Sequence, residues 1–269
     1  MNQKYQFHFI FGIKENFNNK EFCYFHYLNL KSCYLTQRNP EIYIHYLYEP
    51  IDNKWWNLAK DFCVMKKYDS LPNKVYRCNN REVVWPEHKS DIFRLLILKE
   101  CGGVYADIDT IFYKDFFSHF GDMDFVMGEE GLYRISEDSY DINGLCNALI
   151  ISKTDAEFLN IWLDEYDKGY VNNDWNQFSV RVPYEIYKKY PNLIHVEPVK
   201  SFHKYNWQEW FYDTSDNNKF CSYMNDEGIF SKHMSETKLF HLLKNINRDY
   251  FNTSDSLYSK MCNNIEGLL

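Results

Sequence analysis

Long apolar runs are the first feature that this sequence lacks. Nowhere in its 269 residues does a window approach the roughly 18 uninterrupted apolar residues of a membrane-spanning helix. The opening MNQKYQFHFIFGIKENF also lacks the basic flank, the apolar stretch and the small-residue cleavage site of a signal peptide. We therefore expect a cytoplasmic protein, free or peripheral to a membrane, without a transmembrane segment.

Clusters of lysine and arginine are missing as well. The formal net charge is −8, whereas a protein that neutralises nucleic-acid phosphates needs a basic face. We therefore expect no nucleic-acid partner.

Closely spaced cysteine pairs are absent, although the chain contains eight cysteines. Without a Cys-x-x-Cys spacing there is no signature of a zinc or dithiol redox site, so we interpret most of these residues as reduced thiols in the core. Internal repeats, low-complexity tracts and Pro/Gly/Ser-rich linkers are also missing. The sequence therefore predicts a single domain over residues 1–269.

Short apolar segments alternate with longer helical ones in the first third of the chain. Residues 5–11 and 41–48 have the alternation of strands, and residues 20–37 between them have helical length. We expect a further helix over 53–68 and a short strand over 73–78. This order predicts an α/β fold with a mainly parallel sheet covered by helices, and with ligands at the carboxyl ends of the strands.

A buried helix is predicted in PEHKSDIFRLLILKEC, with start signals at Pro86 and Ser90 and a stop at Gly102 and Gly103. Asp91 and Arg94 are three residues apart, so they share one face in its first turn. Charged side chains on a buried helix must be paired or must face a polar ligand.

The stretch GGVYADIDTIF then predicts a buried strand that carries two acidic residues. Strand periodicity places Asp107 and Asp109 on the same side as Tyr105. Two convergent carboxylates repel each other unless a cation lies beside them, and hard oxygen ligands suit Mg²⁺ or Mn²⁺. The pair therefore predicts a metal site.

The second half of the chain continues the alternation. We expect strands over 124–128, 145–152 and 193–198, a helix over 154–169, and a helix over 176–191 that breaks near Pro183. From Val199 to Lys238 the chain is irregular and aromatic, which is typical of a lid or an acceptor-binding segment. We interpret Trp207 and Trp210 in this segment as packing residues rather than as a sugar platform.

The segment HKSDIFRLLILKECGGVYADIDTIF resembles the DXD sugar-binding region of glycosyltransferase family 32 and of capsular-polysaccharide-type transferases, and it is also similar to the catalytic core of the large clostridial glucosylating toxins. The resemblance implies a GT-A-like fold: residues 1–112 form a nucleotide-sugar-binding half that ends in the DXD motif, and residues 113–269 form an acceptor-binding half with a C-terminal lid. It also implies a retaining transfer of a sugar from a nucleoside-diphosphate sugar, UDP-sugar above all, to a glycan or other hydroxyl acceptor in polysaccharide biosynthesis, with Mn²⁺ or Mg²⁺ as cofactor.

The resemblance also implies roles for individual residues. Asp107, Asp109 and the late His233 would bind the metal. The donor would contact Phe11, Gly12, Asp91, Arg94, Tyr105 and Asp107. For the catalytic group near the sugar C1 the resemblance gives no single residue; besides Asp107 and Asp109, the polar residues that could approach C1 are Asn147, Asp174 and Gln177.

Four alternatives stay open at this point. The two aspartates could be simple strand-end turn residues, and Asp91 with Arg94 could be a structural pair within the helix. DIDT also resembles the motif of haloacid-dehalogenase-type phosphatases, although Thr110 stands one position earlier than that motif requires. Finally, the chain could be a nucleotide-sugar-binding module without turnover.

Overall fold

The computed structural model describes residues 5–17, 21–136, 139–172, 174–203 and 228–233, together with 260, 263–265 and 267. Over these residues we find no helix with both the length and the apolar character needed to cross a membrane.

A seven-stranded sheet forms the centre of the molecule. Its strands, in spatial order, are β10 (His195–Glu197), β8 (Phe125–Ser136), β9 (Ser139–Ser152), β6 (Gly103–Ala106), β1 (Tyr5–Ile10), β2 (Pro40–Tyr46) and β3 (Cys63–Lys67). Four neighbouring pairs are parallel, and only β9 runs antiparallel to its neighbours β6 and β8. The predicted α/β fold with a mainly parallel sheet is therefore confirmed.

Helices and two short ladders surround this sheet. The helices are α1 (Tyr24–Thr36), α2 (Lys54–Ala59), α3 (Asn73–Tyr76), α4 (Pro86–Cys101), α5 (Phe117–Phe120), α6 (Glu157–Gly169), α7 (Val182–Lys189) and α8 (Val199–His203), with a π-helix at Gln177–Arg181 and a 3₁₀ turn at Pro191–Leu193. The ladders are β4 (Arg77–Cys78) with β5 (Arg81–Glu82), and β7 (Thr110–Phe112) with β11 (Ser231–His233).

Two apolar clusters fill the molecule. One includes Leu95 of α4 and Trp162 of α6, and the other includes Phe7 and Phe9 of β1. Burying one large side chain of this kind contributes about 1.5–3 kcal/mol. The site described below is thus built on a sheet that is fixed by packing.

Two sequence predictions in the first third are wrong. The helix expected over 53–68 ends at Ala59, because Cys63–Lys67 pair with β2 as the parallel edge strand β3. The strand expected over 73–78 is instead the single turn α3 followed by β4. In both places sheet pairing or a local turn decides the structure of a segment whose periodicity is ambiguous.

The predictions for the second half need three corrections. The helix changes type near Pro183 rather than breaking, because the π-helix ends at Arg181 and α7 begins at Val182 with this proline in its first turn. Within the segment expected to be irregular, Val199–His203 is helical and Ser231–His233 is a strand. Trp207 and Trp210 lie outside the described residues.

Candidate active site

The site begins where β6 ends. The strand stops at Ala106, and residues 107–109 form a turn in which the Thr110 amide donates to the Asp107 carbonyl at 2.9 Å. The predicted strand was therefore too long. The phenol of Tyr105 still donates to Oδ1 of Asp107 at 2.7 Å, so these two side chains lie on one side as expected.

The short ladder between β7 and β11 brings His233 to the same place. His233 is opposite Thr110 in this antiparallel pair. Its Nε2 lies 3.2 Å from Oδ1 of Asp109 and 3.7 Å from Oδ2 of Asp107. One ligand atom from each of the three side chains lies within 4.8 Å of the other two. Two carboxylates and one imidazole are a donor set that fits Mn²⁺ or Mg²⁺.

Burial and charge act against each other at this cluster. Burial raises the pKa of the Asp107 carboxyl, and Arg94 and His233 oppose that shift. Burial alone would lower the pKa of His233, but the Asp109 and Asp107 carboxylates outweigh it and raise that pKa. The carboxylates therefore attract positive charge, which is the condition for binding a cation.

Arg94 lies beneath the two aspartates and is almost completely engaged by the protein. Its Nη1 contacts the Asn147 carbonyl at 2.8 Å and Oδ1 of Asp107 at 3.2 Å, and its Nη2 contacts Oδ1 of Asp91 at 3.1 Å. The remaining N–H groups have the Ser90 carbonyl and hydroxyl within 3.4 Å. The ion pair between Asp91 and Arg94 thus exists, and Arg94 also forms an ion pair with Asp107.

Helix α4 begins at Pro86, so Asp91 and Arg94 are in its second and third turns rather than in the first turn as predicted. Both side chains nevertheless lie on one face, because three residues correspond to nearly one turn. Asp91 also accepts a hydrogen bond from Nδ2 of Asn147 at 2.7 Å, again through Oδ1.

A bulge in β9 places Asn147 in this network. Met127 of β8 pairs with Ile150, whereas the next residue, Gly128, pairs with Cys146. The three residues between Cys146 and Ile150, of which Asn147 is the first, therefore lie outside this ladder. Bulges redirect side chains near functional sites, and here both Cys146 and Asn147 line the same cavity although they are adjacent in sequence.

The cavity above these residues has a volume of about 630 Å³. It brings together most of the residues singled out from the sequence, namely Phe11, Gly12, Asp91, Arg94, Tyr105, Asp107, Asp109, Asn147 and His233. Gly12 has a φ of +67°, and a Cβ at this position would lie 2.3 Å from the Tyr48 carbonyl oxygen. A glycine is therefore needed where β1 opens into the cavity.

Two predicted residues are placed differently. Gln177 is half-buried at the start of the π-helix, and it is not among the residues that line the cavity, unlike its neighbour Asn176. The Asp174 carboxylate accepts from the Asn176 amide at 3.1 Å and pairs with Arg181 at 3.0 Å. Their approach to a sugar C1 therefore stays a prediction.

Sequence reasoning missed several polar or aromatic residues in the cavity wall. They are Glu130, Cys146, Trp175, His203 and Lys232. Cys146, Trp175 and Lys232 each stand beside a predicted site residue in the sequence, namely Asn147, Asp174 and His233. Strict strand alternation would have turned Cys146 away from Asn147. The others come from elements whose mutual positions no local pattern gives.

Comparison with known proteins agrees with this geometry. Residues 26–129 match the family model described as the glycosyltransferase sugar-binding region containing a DXD motif. Glucan organizing enzyme 1 of Cryptococcus neoformans var. grubii is 30% identical over 212 residues, which cover 77% of this chain and 54% of that protein. The chain thus spans about half the length of this curated relative. The predicted resemblance is confirmed.

Among solved structures, the apo WbbM bifunctional glycosyltransferase matches with a TM-score of 0.50 and 12% identity, over 98% of this chain and 50% of that one. The PaToxG glycosyltransferase matches with a TM-score of 0.47 and 17% identity, over 70% of each chain. Together with the parallel sheet and its flanking helices, the WbbM match confirms the predicted GT-A-like fold.

Proposed function

Because residues 26–129 carry the glycosyltransferase sugar-binding region with its DXD motif, we propose that this chain transfers a sugar from a nucleoside-diphosphate sugar to a hydroxyl acceptor. We infer further that the donor is a UDP-sugar, that the acceptor is a glycan and that the anomeric configuration is retained. The observation that carries the proposal is the convergence of Asp107, Asp109 and His233 below a cavity of about 630 Å³. The relative's name refers to glucan, which supports a role in polysaccharide biosynthesis.

Asp107, Asp109 and His233 would hold the divalent cation, with Mn²⁺ favoured over Mg²⁺ because one donor is an imidazole. When bound, the cation would supply positive charge for the diphosphate that leaves the sugar. Arg94 keeps Asp107 in place through its Nη1–Oδ1 contact, and the phenol of Tyr105 holds the same oxygen. These two residues therefore orient a carboxylate that would hold the cation.

The donor would extend from the cation site toward the end of β1. Phe11 and Gly12 line that end of the cavity. The Gly12 carbonyl is already bonded to the Leu47 and Tyr48 amides, and the Phe11 amide donates to His45. The Phe11 carbonyl and the Gly12 amide are then the backbone groups that would contact a nucleotide base.

Asp91 and Asn147 would contact the transferred sugar. The Arg94 and Asn147 contacts of Asp91 both use Oδ1, so Oδ2 can accept from a sugar hydroxyl. Nδ2 of Asn147 donates to Asp91. The side-chain oxygen of Asn147 is therefore the atom that could face the sugar C1. Gln177 and Asp174 would need a rearrangement of the π-helix region to reach the same atom.

The acceptor would approach over an aromatic rim. Trp175 lines the cavity and is 57% exposed, and Trp85 beside it is 47% exposed. The two rings meet edge to face with their centroids 6.3 Å apart. Exposed indole faces next to a donor pocket suit stacking on a pyranose ring.

We therefore propose a donor half, residues 1–112, and an acceptor half, residues 113–269. His233 and Asn147 belong to the second half by sequence but contribute to the donor side.

A panel of nucleotide sugars with Mn²⁺ tests the proposal. We expect slow hydrolysis of one donor without acceptor, faster turnover when an oligosaccharide is added, and loss of both in EDTA. Binding of a nucleotide sugar without any turnover would support the non-catalytic alternative. Release of phosphate from a chromogenic phosphate ester, with no donor hydrolysed, would support the phosphatase alternative.

A further inference from the structure

A second group of metal-ligating side chains lies next to the carboxylate site. Cys146 of β9, His203 at the end of α8 and His233 of β11 each offer one ligand atom, and these atoms lie within 4.8 Å of one another. A tetrahedral zinc ion separates its sulfur and nitrogen ligands by about 3.5 Å. Small side-chain rotations would therefore close the group around a cation.

His203 is the residue that the carboxylate site leaves unexplained. It is 5% exposed, and within the described part of the chain neither of its ring nitrogens has a hydrogen-bond partner. A buried polar group without a partner is destabilising, because it has lost its bonds to water and gained none in the protein. Each imidazole nitrogen that carries no proton has a lone pair that can bind a metal ion.

The fold makes room for this imidazole. A Cβ on Gly128 would lie 3.0 Å from Nε2 of His203, so only a glycine at that position accommodates the ring in its present place. Gly128 is also the residue opposite Cys146 at the bulge. The bulge between β8 and β9 thus places the Cys146 thiol opposite Gly128, and Gly128 leaves the space that His203 occupies.

The two ligand groups differ in chemical character. Asp107 and Asp109 are hard oxygen donors, whereas Cys146 and His203 are softer donors that favour zinc over manganese or magnesium. His233 belongs to both groups. Cys146, His203 and His233 all line the cavity, which gives a cation a path to them.

We propose that Cys146, His203 and His233 form a second metal site, selective for a soft divalent cation such as Zn²⁺. Its occupation withdraws His233 from Asp107 and Asp109, so zinc opposes the cation of the carboxylate site. Binding replaces the S–H bond of Cys146 by a sulfur–metal bond and releases one proton to water. The opposition between the two metals rests on the proposed function; the binding of zinc does not.

Cobalt titration tests the site without any activity measurement. Co²⁺ bound to a thiolate gives a charge-transfer band in the near ultraviolet, and we expect this band in the wild-type protein and its disappearance when Zn²⁺ is added. Cys146→Ser should lose the band, and His203→Gln should weaken Co²⁺ binding at least tenfold. Asp109→Asn, which removes a ligand of the carboxylate group and none of the second group, and Cys101→Ser, which replaces an exposed cysteine, should keep it.

No band in the wild-type protein, or an unchanged band in Cys146→Ser, would overturn the site. Thermal melting of each variant, with Cys146→Ala as a second replacement, separates loss of the site from loss of the fold.

Donor hydrolysis with Mn²⁺ tests the competition. We expect micromolar Zn²⁺ to inhibit the wild-type protein, and Cys146→Ser to resist it, with each variant compared with its own zinc-free rate. Equal inhibition of both proteins would overturn the competition. If no donor is hydrolysed by the wild-type protein, the proposed function fails, and the cobalt titration still decides whether the site exists.

Discussion

Nη1 of Arg94 lies 3.2 Å from Oδ1 of Asp107, which places a buried guanidinium directly under the first carboxylate of the DXD motif. The same guanidinium reaches Asp91 and the Asn147 carbonyl. The guanidinium of Arg94 thus links helix α4, the end of β6 and the bulge of β9. This relationship explains how two neighbouring aspartates can persist at a site that is partly removed from water.

Replacing Arg94 by methionine should destabilise the protein and remove activity together. The variant leaves Asp91 and Asp107 without their buried partner, and such a loss costs about 3–5 kcal/mol. We expect that decrease in the free energy of unfolding, measured by urea denaturation. Asp91→Asn should cost less, because Arg94 and Asp107 remain paired. Wild-type stability combined with weakened donor binding would instead place Arg94 on the donor.

Asp109→Asn should abolish Mn²⁺-dependent donor hydrolysis while changing stability little. The variant removes one charge from a crowded carboxylate pair and leaves the shape of the turn unchanged. Isothermal titration with Mn²⁺ should show at least a tenfold loss of affinity. Asp122→Asn, at an exposed position, is the matched control and should bind Mn²⁺ as the wild-type protein does. Equal Mn²⁺ binding in both variants would contradict the assignment.

His233→Gln should lower turnover at least tenfold and weaken Mn²⁺ binding, because it removes the imidazole that lies 3.2 Å from Asp109. His119→Gln replaces a histidine whose side chain is 54% exposed and should keep both properties. Comparison of the Mn²⁺ dependence of hydrolysis in the two variants provides the measurement. Normal turnover in His233→Gln at low Mn²⁺ would remove this residue from the metal site.

Trp175→Ala should raise the KM for a glycan acceptor several-fold and leave acceptor-free donor hydrolysis near the wild-type rate. The exposed ring is not part of the Asp107 network, and its loss removes a surface on which a sugar ring can stack. Tyr48→Ala, which removes another exposed aromatic ring, is the control and should leave the acceptor KM unchanged. An unchanged acceptor KM in Trp175→Ala would exclude the rim as an acceptor site.

A buried chain of hydrogen bonds should make stability fall as the pH decreases. The Tyr68 hydroxyl is 2.9 Å from Nδ1 of His45, Nε2 of His45 is 3.0 Å from Nδ1 of His8, and Nε2 of His8 is 3.1 Å from the Gly102 carbonyl. Burial lowers the pKa of His8 to about 4 and that of His45 to about 3, and nearby Lys66 adds to both shifts. Both rings are therefore neutral in the folded protein.

The sign of the effect follows from these lowered values. Well above pH 6.5 neither state protonates the rings and the stability is complete. As the pH falls through 6.5 toward 4, the unfolded chain takes up protons that the folded protein does not. We expect each histidine to reduce the free energy of unfolding by about 1–2 kcal/mol between pH 7.5 and 5. His45→Gln should remove its share of this decrease, whereas His119→Gln should not. A pH dependence in His45→Gln equal to that of the wild type would contradict the prediction.

The local part of the site could be predicted from the sequence. Asp91, Arg94, Asp107 and Asp109 lie within one helix–strand unit, so spacing alone fixes which faces they share. The cavity confirms that these four residues lie together. The exact end of β6 was missed because the polar–apolar alternation of the sequence continues through residues 107–109, whereas the backbone turns there.

The long-range part could not be predicted by the same reasoning. His203 and Cys146 meet His233 only through the β9 bulge and the pairing of β11 with β7. Register and bulges depend on contacts between distant segments, which a local pattern does not contain. His233 itself was identified from its resemblance to a family motif, not from any periodicity of the chain.

The β7–β11 ladder also has a consequence for the order in which the protein matures. Ser231 pairs with Phe112 across a large part of the chain, so a ribosome releases Asp107 and Asp109 long before it synthesises His233. Closing so long a loop carries an entropic cost, which the pairing of β11 with β7 must offset. If Asp107, Asp109 and His233 hold the cation as proposed, the carboxylate pair exists during synthesis first as an incomplete site, and the third ligand is added only with the last quarter of the chain.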